Sequence, residues 1–202
     1  REKGPQVFRS GSGVKVKDID GNSYIEGMSG LWCASLGFNE NELIEAAISQ
    51  MRQLPFYHSF TGKTCESTIN LSEKLIEIAP NNLKKIFFCN SGSEANDTAI
   101  KIVWYYHASL GKPQKRKIIS RKGSYHGVTL AAASLTALEY AQKGFSLPLD
   151  FAIHTTWPHY FQNSNENESE EDFSNRLVND LVKLIESEGA ENIGAFIAEP
   201  IM

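Results

Sequence analysis

Apolar and polar positions change period several times along this chain. From Val14 to Asp18 they alternate one by one, and after Asp20-Gly21-Asn22 the pair Tyr24-Ile25 resumes the pattern. Alternation on both sides of an Asp-Gly pair predicts a short hairpin. Gly27, Gly30 and Gly37 then bracket Leu31-Trp32-Cys33, which predicts a loop whose backbone passes close to something. The period turns helical at Leu43, Ala47, Ile48 and Met51. Asn39 and Glu42 ahead of them have capping-box spacing, and Leu54-Pro55 ends the run. A second helix is expected from about Cys65 to Ala79, with Thr68, Leu71, Leu75 and Ile78 along one side and Pro80 as its stop.

Beyond this point strands and helices alternate. Lys85-Ile86-Phe87-Phe88-Cys89 reads as a buried strand, and Asn90-Ser91-Gly92-Ser93 as a sharp turn. A helix follows to about Leu110, with Ala95, Ala99, Ile102, Val103 and Tyr106 as its expected core side and Gly111 and Pro113 as terminators. Lys117–Ser120 is the next strand, Gly123–Gly127 a loop, and Leu130–Leu135 a helix of small residues. A long helix over Asp172–Glu188, closed by Gly189, precedes a last strand over Ile193–Ala198. This order predicts an α/β fold with a mainly parallel sheet flanked by helices.

Composition changes this picture little. Of 202 residues, 41% are hydrophobic and 22% charged, an ordinary globular mixture that excludes a disordered tail or a disulfide miniprotein. The formal net charge of −4 makes nucleic-acid binding through a strong positive field an unsuitable reading. Five acids (Glu166, Glu168, Glu170, Glu171 and Asp172) are concentrated in one stretch, expected to be a solvated loop entering a helix. The cations between Lys112 and Lys122 are expected to be a solvated connection. Cys33, Cys65 and Cys89, odd in number and without CxxC spacing, argue against a disulfide framework or a zinc site. No apolar run is long enough for a membrane span and no signal peptide is visible, so a cytoplasmic location is expected.

Three segments carry candidate chemistry. In the first, a strand, a Gly/Ser turn and a helix start are joined at Cys89–Ala95, with Ser91 and Glu94 at capping-box spacing. Free N–H groups and the positive dipole end of a helix bind anions; Gly92 would allow close approach and Ser93 adds a hydroxyl. The segment matches neither G-x-G-x-x-G nor the P-loop, which disfavours a dinucleotide or a triphosphate. In the second, Tyr125 and His126 stand in a loop after a strand, where α/β ligands bind, and Tyr125 offers a flat ring. In the third, Glu199 ends an apolar strand beside Pro200. Taken singly, each is equally a capped helix, an ordinary turn or a strand-end acid.

Together, Ser91-Gly92-Ser93-Glu94-Ala95, Tyr125-His126-Gly127 and Ala198-Glu199-Pro200 resemble the class III (ω-amino acid) aminotransferases of pyridoxal-phosphate fold type I. Leu31-Trp32-Cys33 and Pro55-Phe56-Tyr57 with Phe60 look most like the ω-amino acid:pyruvate branch. The resemblance implies pyridoxal 5′-phosphate as cofactor. Gly92 and Ser93 would hold its phosphate, Tyr125 would stack on its ring with His126 supporting that wall, and Glu199 would lie near its ring hydroxyl. Trp32 would wall the substrate pocket. Phe60 would enter the pocket of the opposite subunit, because the family's active sites are shared across a homodimer.

The implied reaction is transfer of an amino group from an ω-amino acid or amine donor to a keto acid such as pyruvate. The family's Schiff-base lysine and the aspartate on its pyridine nitrogen are expected downstream of Met202, so no catalytic lysine is assigned in these residues. The chain therefore reads as the N-terminal portion of such an enzyme and, by itself, as inactive. Residues 1–55 would contribute to the small domain and residues 56–202 begin the large, cofactor-binding domain. The alternative is a truncated, non-catalytic protein that binds only a phosphate ligand or a partner subunit.

Overall fold

A computed structural model describes residues 4–201 of the chain. It divides into two compact units, one up to Ile86 and one from Phe87 onward.

The first unit opens with a three-stranded antiparallel sheet of β1 (Phe8–Ser12), β2 (Lys15–Asp18) and β3 (Ser23–Ile25), in that order. The expected hairpin is the β2–β3 pair. In β2, Val16 and Asp18 are buried while Lys15 and Lys17 face outward, as period-2 alternation requires. The buried Asp18 ties the turn. Its carboxylate accepts the Asp20 and Asn22 N–H groups at 3.0 and 2.8 Å, the Asn22 amide at 3.0 Å and the Tyr24 hydroxyl at 2.9 Å. These bonds favour the ionised form and hold this carboxyl below its ordinary range.

The glycine-bracketed loop becomes α1 (Ser29–Trp32), a turn wound left-handed, with φ between 50° and 67° at all four residues. Each of the three non-glycine residues costs about 1–2 kcal/mol in this conformation. Glu26 offsets the cost by accepting the Met28 and Gly30 N–H groups. Two helices follow, α2 (Asn41–Gln53) and α3 (Glu66–Ile78). The capping box expected at Asn39 does not form. Phe38 pairs with Gly13 through two main-chain bonds of 2.8 and 2.9 Å, and this bridge leaves Asn39 at φ 64°, with Glu40 as the cap. The apolar stripes of these helices, including Leu43, Met51, Leu71 and Ile78, are exposed.

In the second unit, α4 (Gly92–Ser109) precedes β4 (Lys117–Arg121). Two short helices, α5 (Leu130–Leu135) and α6 (Glu139–Gln142), lead to β5 (Ala152–Thr155). Then α7 (Tyr160–Asn163), α8 (Glu170–Glu188) and a single 3₁₀ turn lead to β6 (Ile193–Phe196). The sheet runs β5-β4-β6 and is wholly parallel. The core forms where α4 and α5 meet β4 and β5, around Ile100, Ile118, Leu135 and Ala152, with Trp104, Phe151 and Ile197 packed against it. Full burial of a side chain such as Ile118 is worth about 1.5–3 kcal/mol.

Three further expectations fail in the structure. Residues 85–89 form no strand: no described strand pairs with them, and Phe87 and Phe88 are exposed. An apolar run favours burial, but a strand also needs a neighbour for its N–H and C=O groups. The core face of α4 is rotated from the one expected. Ile102 and Tyr106 are exposed, while Asn96, Ile100, Val103, Trp104 and His107 are turned inward. Two polar members of that face find main-chain partners: Trp104 Nε1 donates to Arg116 O at 2.9 Å, and His107 Nε2 meets Gly194 O at 2.9 Å, while His107 Nδ1 is buried without one. The basic stretch is not simply solvated, because half of it is the middle strand of the sheet. Lys115 Nζ donates to Ala190 O and Ile193 O, Lys117 pairs with Glu188, and Arg116 lies over the Trp104 ring.

The acidic stretch is, as expected, a largely exposed loop entering the start of α8, with Glu168 alone of its acids partly buried. Arg176 donates to both Glu168 oxygens at 2.7 Å and to Asn163 O at 2.8 Å, and Ser169 caps α8. No described helix is long and apolar enough to cross a membrane.

The Arg176 fork, aided by the Asn165 N–H, pulls the Glu168 carboxyl down from 4.5 to about 2. A carboxyl depressed by folding stabilises above its unfolded value and loses that contribution as pH falls toward its folded value. Glu168→Gln should therefore lower the melting temperature near pH 7. The gap from wild type should shrink below pH 4.5 and close near pH 2 in thermal melts across that range.

Candidate functional site

The site is built where α4 begins and where the chain leaves β4 and β6. At α4, Ser91 Oγ accepts the Glu94 N–H at 3.2 Å. Glu94 reaches back to the Asn90 N–H at 2.8 Å, one residue outside the cap. The Gly92 and Ser93 N–H groups bond nothing among the described residues, as the geometry of a helix start dictates. A Cβ built on Gly92 would meet nothing within 4 Å.

The loop after β4 is fastened to this helix start. Ser93 Oγ accepts the Val128 N–H at 3.0 Å and keeps its own proton to donate elsewhere. Asn96 Nδ2 donates to His126 O at 2.5 Å. Asp97 Oδ1 accepts the Thr129 hydroxyl at 2.8 Å and the Ala132 N–H at 3.0 Å, which anchors the start of α5. Beneath the loop, Thr136 Oγ1 accepts the His126 and Gly127 N–H groups at 2.8 and 3.2 Å. Gly127 sits at φ 136°, and a Cβ there would lie 2.6 Å from Ser93 Oγ and 2.8 Å from the Ala132 Cβ. Only glycine lets loop and helix approach so closely.

Glu199, three residues beyond β6, closes the arrangement. Its Oε1 accepts the Tyr125 N–H at 2.9 Å. Its Oε2 accepts from Arg121 Nη2 at 3.2 Å, and the same nitrogen also donates to Glu199 O. Burial raises this carboxyl, but the Tyr125 N–H, the Arg121 guanidinium and the nearby His126 together outweigh it, and the net shift is downward. His126 is buried, and its Nε2 has no hydrogen-bond partner and lies 3.9 Å from Glu199 Oε2. Desolvation lowers its pKa more than Glu199 raises it, and the net shift is downward. Tyr125 itself is 55% exposed.

Gly92, Ser93, Tyr125, His126 and Glu199 are thus brought together within the second unit. Trp32 and Phe60 belong to the first unit and are 78% and 74% exposed; Trp32 is carried on the left-handed turn of α1. Sequence reasoning missed Arg121, Asn96, Asp97 and Thr136. Asn96 and Asp97 stand one helical turn after Ser93, a spacing that could have flagged them. Arg121 was hidden within the basic stretch.

A helix start with unpartnered amides, an exposed aromatic residue and a buried imidazole thus come together beside a parallel α/β sheet. The chain belongs to the class-III aminotransferase family, whose model matches residues 2–202. It is 48% identical over 199 residues to vanillin aminotransferase of Capsicum frutescens, covering 98% of this chain and 43% of that protein. It is 47% identical to mitochondrial gamma-aminobutyrate transaminase 1 of Oryza sativa subsp. japonica, covering 98% and 39%. Its structure matches that of the omega transaminase of Pseudomonas jessenii in complex with PMP, with a TM-score of 0.97 and 51% identity over 100% of this chain and 44% of that one. The chain spans less than half the length of these proteins. Its fold is part of the fold-type I architecture of the pyridoxal-phosphate-dependent transaminases. The family is pyridoxal-phosphate-dependent.

The two glycines of the site should respond differently to alanine. Gly127→Ala should cost about 1–3 kcal/mol, from its backbone angle and the collision with Ser93. Gly92→Ala, at a helix start facing open space, should leave stability within about 0.5 kcal/mol of wild type. Chemical denaturation of the two variants checks the contrast.

Proposed function

We propose that the full-length protein moves an amino group from an ω-amino acid or amine donor to a keto acid such as pyruvate, using pyridoxal 5′-phosphate. The observation that supports this reading is the fastening of the Tyr125 loop to the first turn of α4, which brings the unpartnered amides of Gly92 and Ser93 and the exposed Tyr125 to one edge of the sheet. The residues fit the cofactor. Two amides lack partners, an aromatic face is open, and a buried imidazole nitrogen is unpaired. Gly92 and Ser93 would hold the phosphate by N–H and hydroxyl donation. Tyr125 would cover the ring, His126 would back it, and Glu199 would stand on its hydroxyl side as a fixed acceptor. When bound, the cofactor supplies an electron sink that lets a proton leave the donor carbon. The group that moves that proton is a lysine expected beyond Met202.

Relatives named for vanillin and γ-aminobutyrate support a substrate range of terminal amines and aldehydes. Trp32 would wall the substrate pocket, and Phe60 would reach the pocket of a second subunit in a homodimer with shared sites. The assignment of residues 1–55 to the small domain and 56–202 to the large one belongs to the same proposal. A reducing compartment such as the cytoplasm suits the three free cysteines.

The test is amino transfer by the full-length protein loaded with the cofactor. With an ω-amino acid or an arylalkylamine and pyruvate, alanine should form. Failure with all such donors would overturn the reading. Tyr125→Ala should raise the cofactor Kd about tenfold, since an aromatic stack is worth about 0.5–1.5 kcal/mol beyond the area it buries.

A further inference from the structure

Arg121 has no place in the proposed chemistry, yet it touches the residue on which the loop depends. It is the last residue of β4, and its side chain is only 15% exposed. Its Nη2 meets both the main-chain oxygen and the carboxylate of Glu199, so it joins the ends of two neighbouring strands beyond their last ladder bond, Ile197 N–H to Ile119 O. The other oxygen of Glu199 holds the Tyr125 N–H. One carboxylate therefore grips the chain at both Arg121 and Tyr125, across a turn closed by the Ser124 N–H on Arg121 O at 3.2 Å.

His126 is the competitor in this arrangement. Its unpaired Nε2 is 3.9 Å from the same oxygen, Oε2, that Arg121 occupies. A protonated imidazole would make a short ion pair with that oxygen if the guanidinium did not hold it. We propose that Arg121 is a positioning residue: by fixing Glu199 Oε2 it keeps this carboxylate from closing onto His126, which leaves the imidazole edge free behind Tyr125. This deepens the proposed function and rests on it only for the use made of the free imidazole; the geometry stands without a bound cofactor.

The charged groups around His126 are few. Glu199 favours its protonation. Arg121 at the end of β4 and His154 on β5 oppose it, and burial opposes it most strongly. Asp97 on α4 is committed to Thr129 and Ala132. Removing Arg121 therefore removes an opposing charge and frees the attracting one, and both effects act in the same direction.

The test follows the His126 ring signal by NMR across pH in cofactor-free, full-length protein, with His126→Gln as the assignment control. Arg121→Met should move the His126 titration midpoint upward, and Arg121→Lys should restore most of the wild-type midpoint. In a Glu199→Gln background, Arg121→Met should produce a much smaller upward shift, because the attracting carboxylate is gone. An unmoved midpoint in Arg121→Met, or an equal shift with and without the Glu199 carboxylate, would overturn the proposal. If Arg121→Met does not fold, the same comparison is made with Arg121→Gln and Arg121→Lys, which keep polar contact with Glu199. The readout needs no bound cofactor, so a protein that fails to transaminate can still support or refute the role of Arg121.

Discussion

The Glu199 carboxylate is the constraint on which the site depends. It stands just past β6, yet its two oxygens are taken by groups from the chain leaving β4, the Arg121 guanidinium and the Tyr125 N–H. A carboxylate accepting charge-assisted and main-chain bonds at once is held ionised despite partial burial. Hydrogen bonds to charged groups contribute about 1.5–3 kcal/mol each. At Tyr125 the main chain is fixed by this ion, while the residue itself remains exposed between the buried Ser124 and His126.

The rest of the site extends the same logic. α4 presents Ser93, Asn96 and Asp97, three polar residues within about one turn, and each grips a different point on the chain between His126 and Ala132. Gly127 permits the approach that these bonds need. The apolar core around Ile100, Ile118 and Leu135 sits directly behind and fixes how α4 lies on the sheet. Packing therefore orients the helix, hydrogen bonds bring the loop to it, and the amides of Gly92 and Ser93 are left without partners among the described residues. The energy of the fold and the chemistry of the site meet at Ser93, whose Oγ accepts from the loop while its N–H stays available.

Much of this was legible in the sequence, for identifiable reasons. The Asp-Gly hairpin, the capped start of α4, and the helices at Leu130–Leu135 and up to Glu188 carry local signals: turn residues, caps and terminal glycines. So do Tyr125-His126 and Glu199-Pro200, which follow the readable strands β4 and β6, and Ser91-Gly92-Ser93, which carries the cap of α4. What was not legible depends on partners distant in the chain. The inward face of α4 includes Asn96 and His107, which a hydrophobic pattern assigns outward; only Gly194 and His126, far along the chain, make that face inward. β5, four residues long with His154 within it, has too short a pattern to detect, and it exists because β4 lies beside it. Residues 85–89 show the reverse case, a strand-like run with no described neighbour. Arg121 was hidden for a similar reason, since a cation in a basic run gives no sign that its partner stands 78 residues away.

The most direct measurement of the central claim is hydrogen exchange at the Tyr125 amide in the full-length protein, comparing wild type with Glu199→Ala. If the carboxylate holds the loop, the Tyr125 amide should exchange about tenfold faster in the variant, in line with the loss of one charge-assisted bond, while amides in the middle of α4 stay protected. Equal protection of the Tyr125 amide in both proteins would contradict the account, because the loop would then be fixed by something other than Glu199.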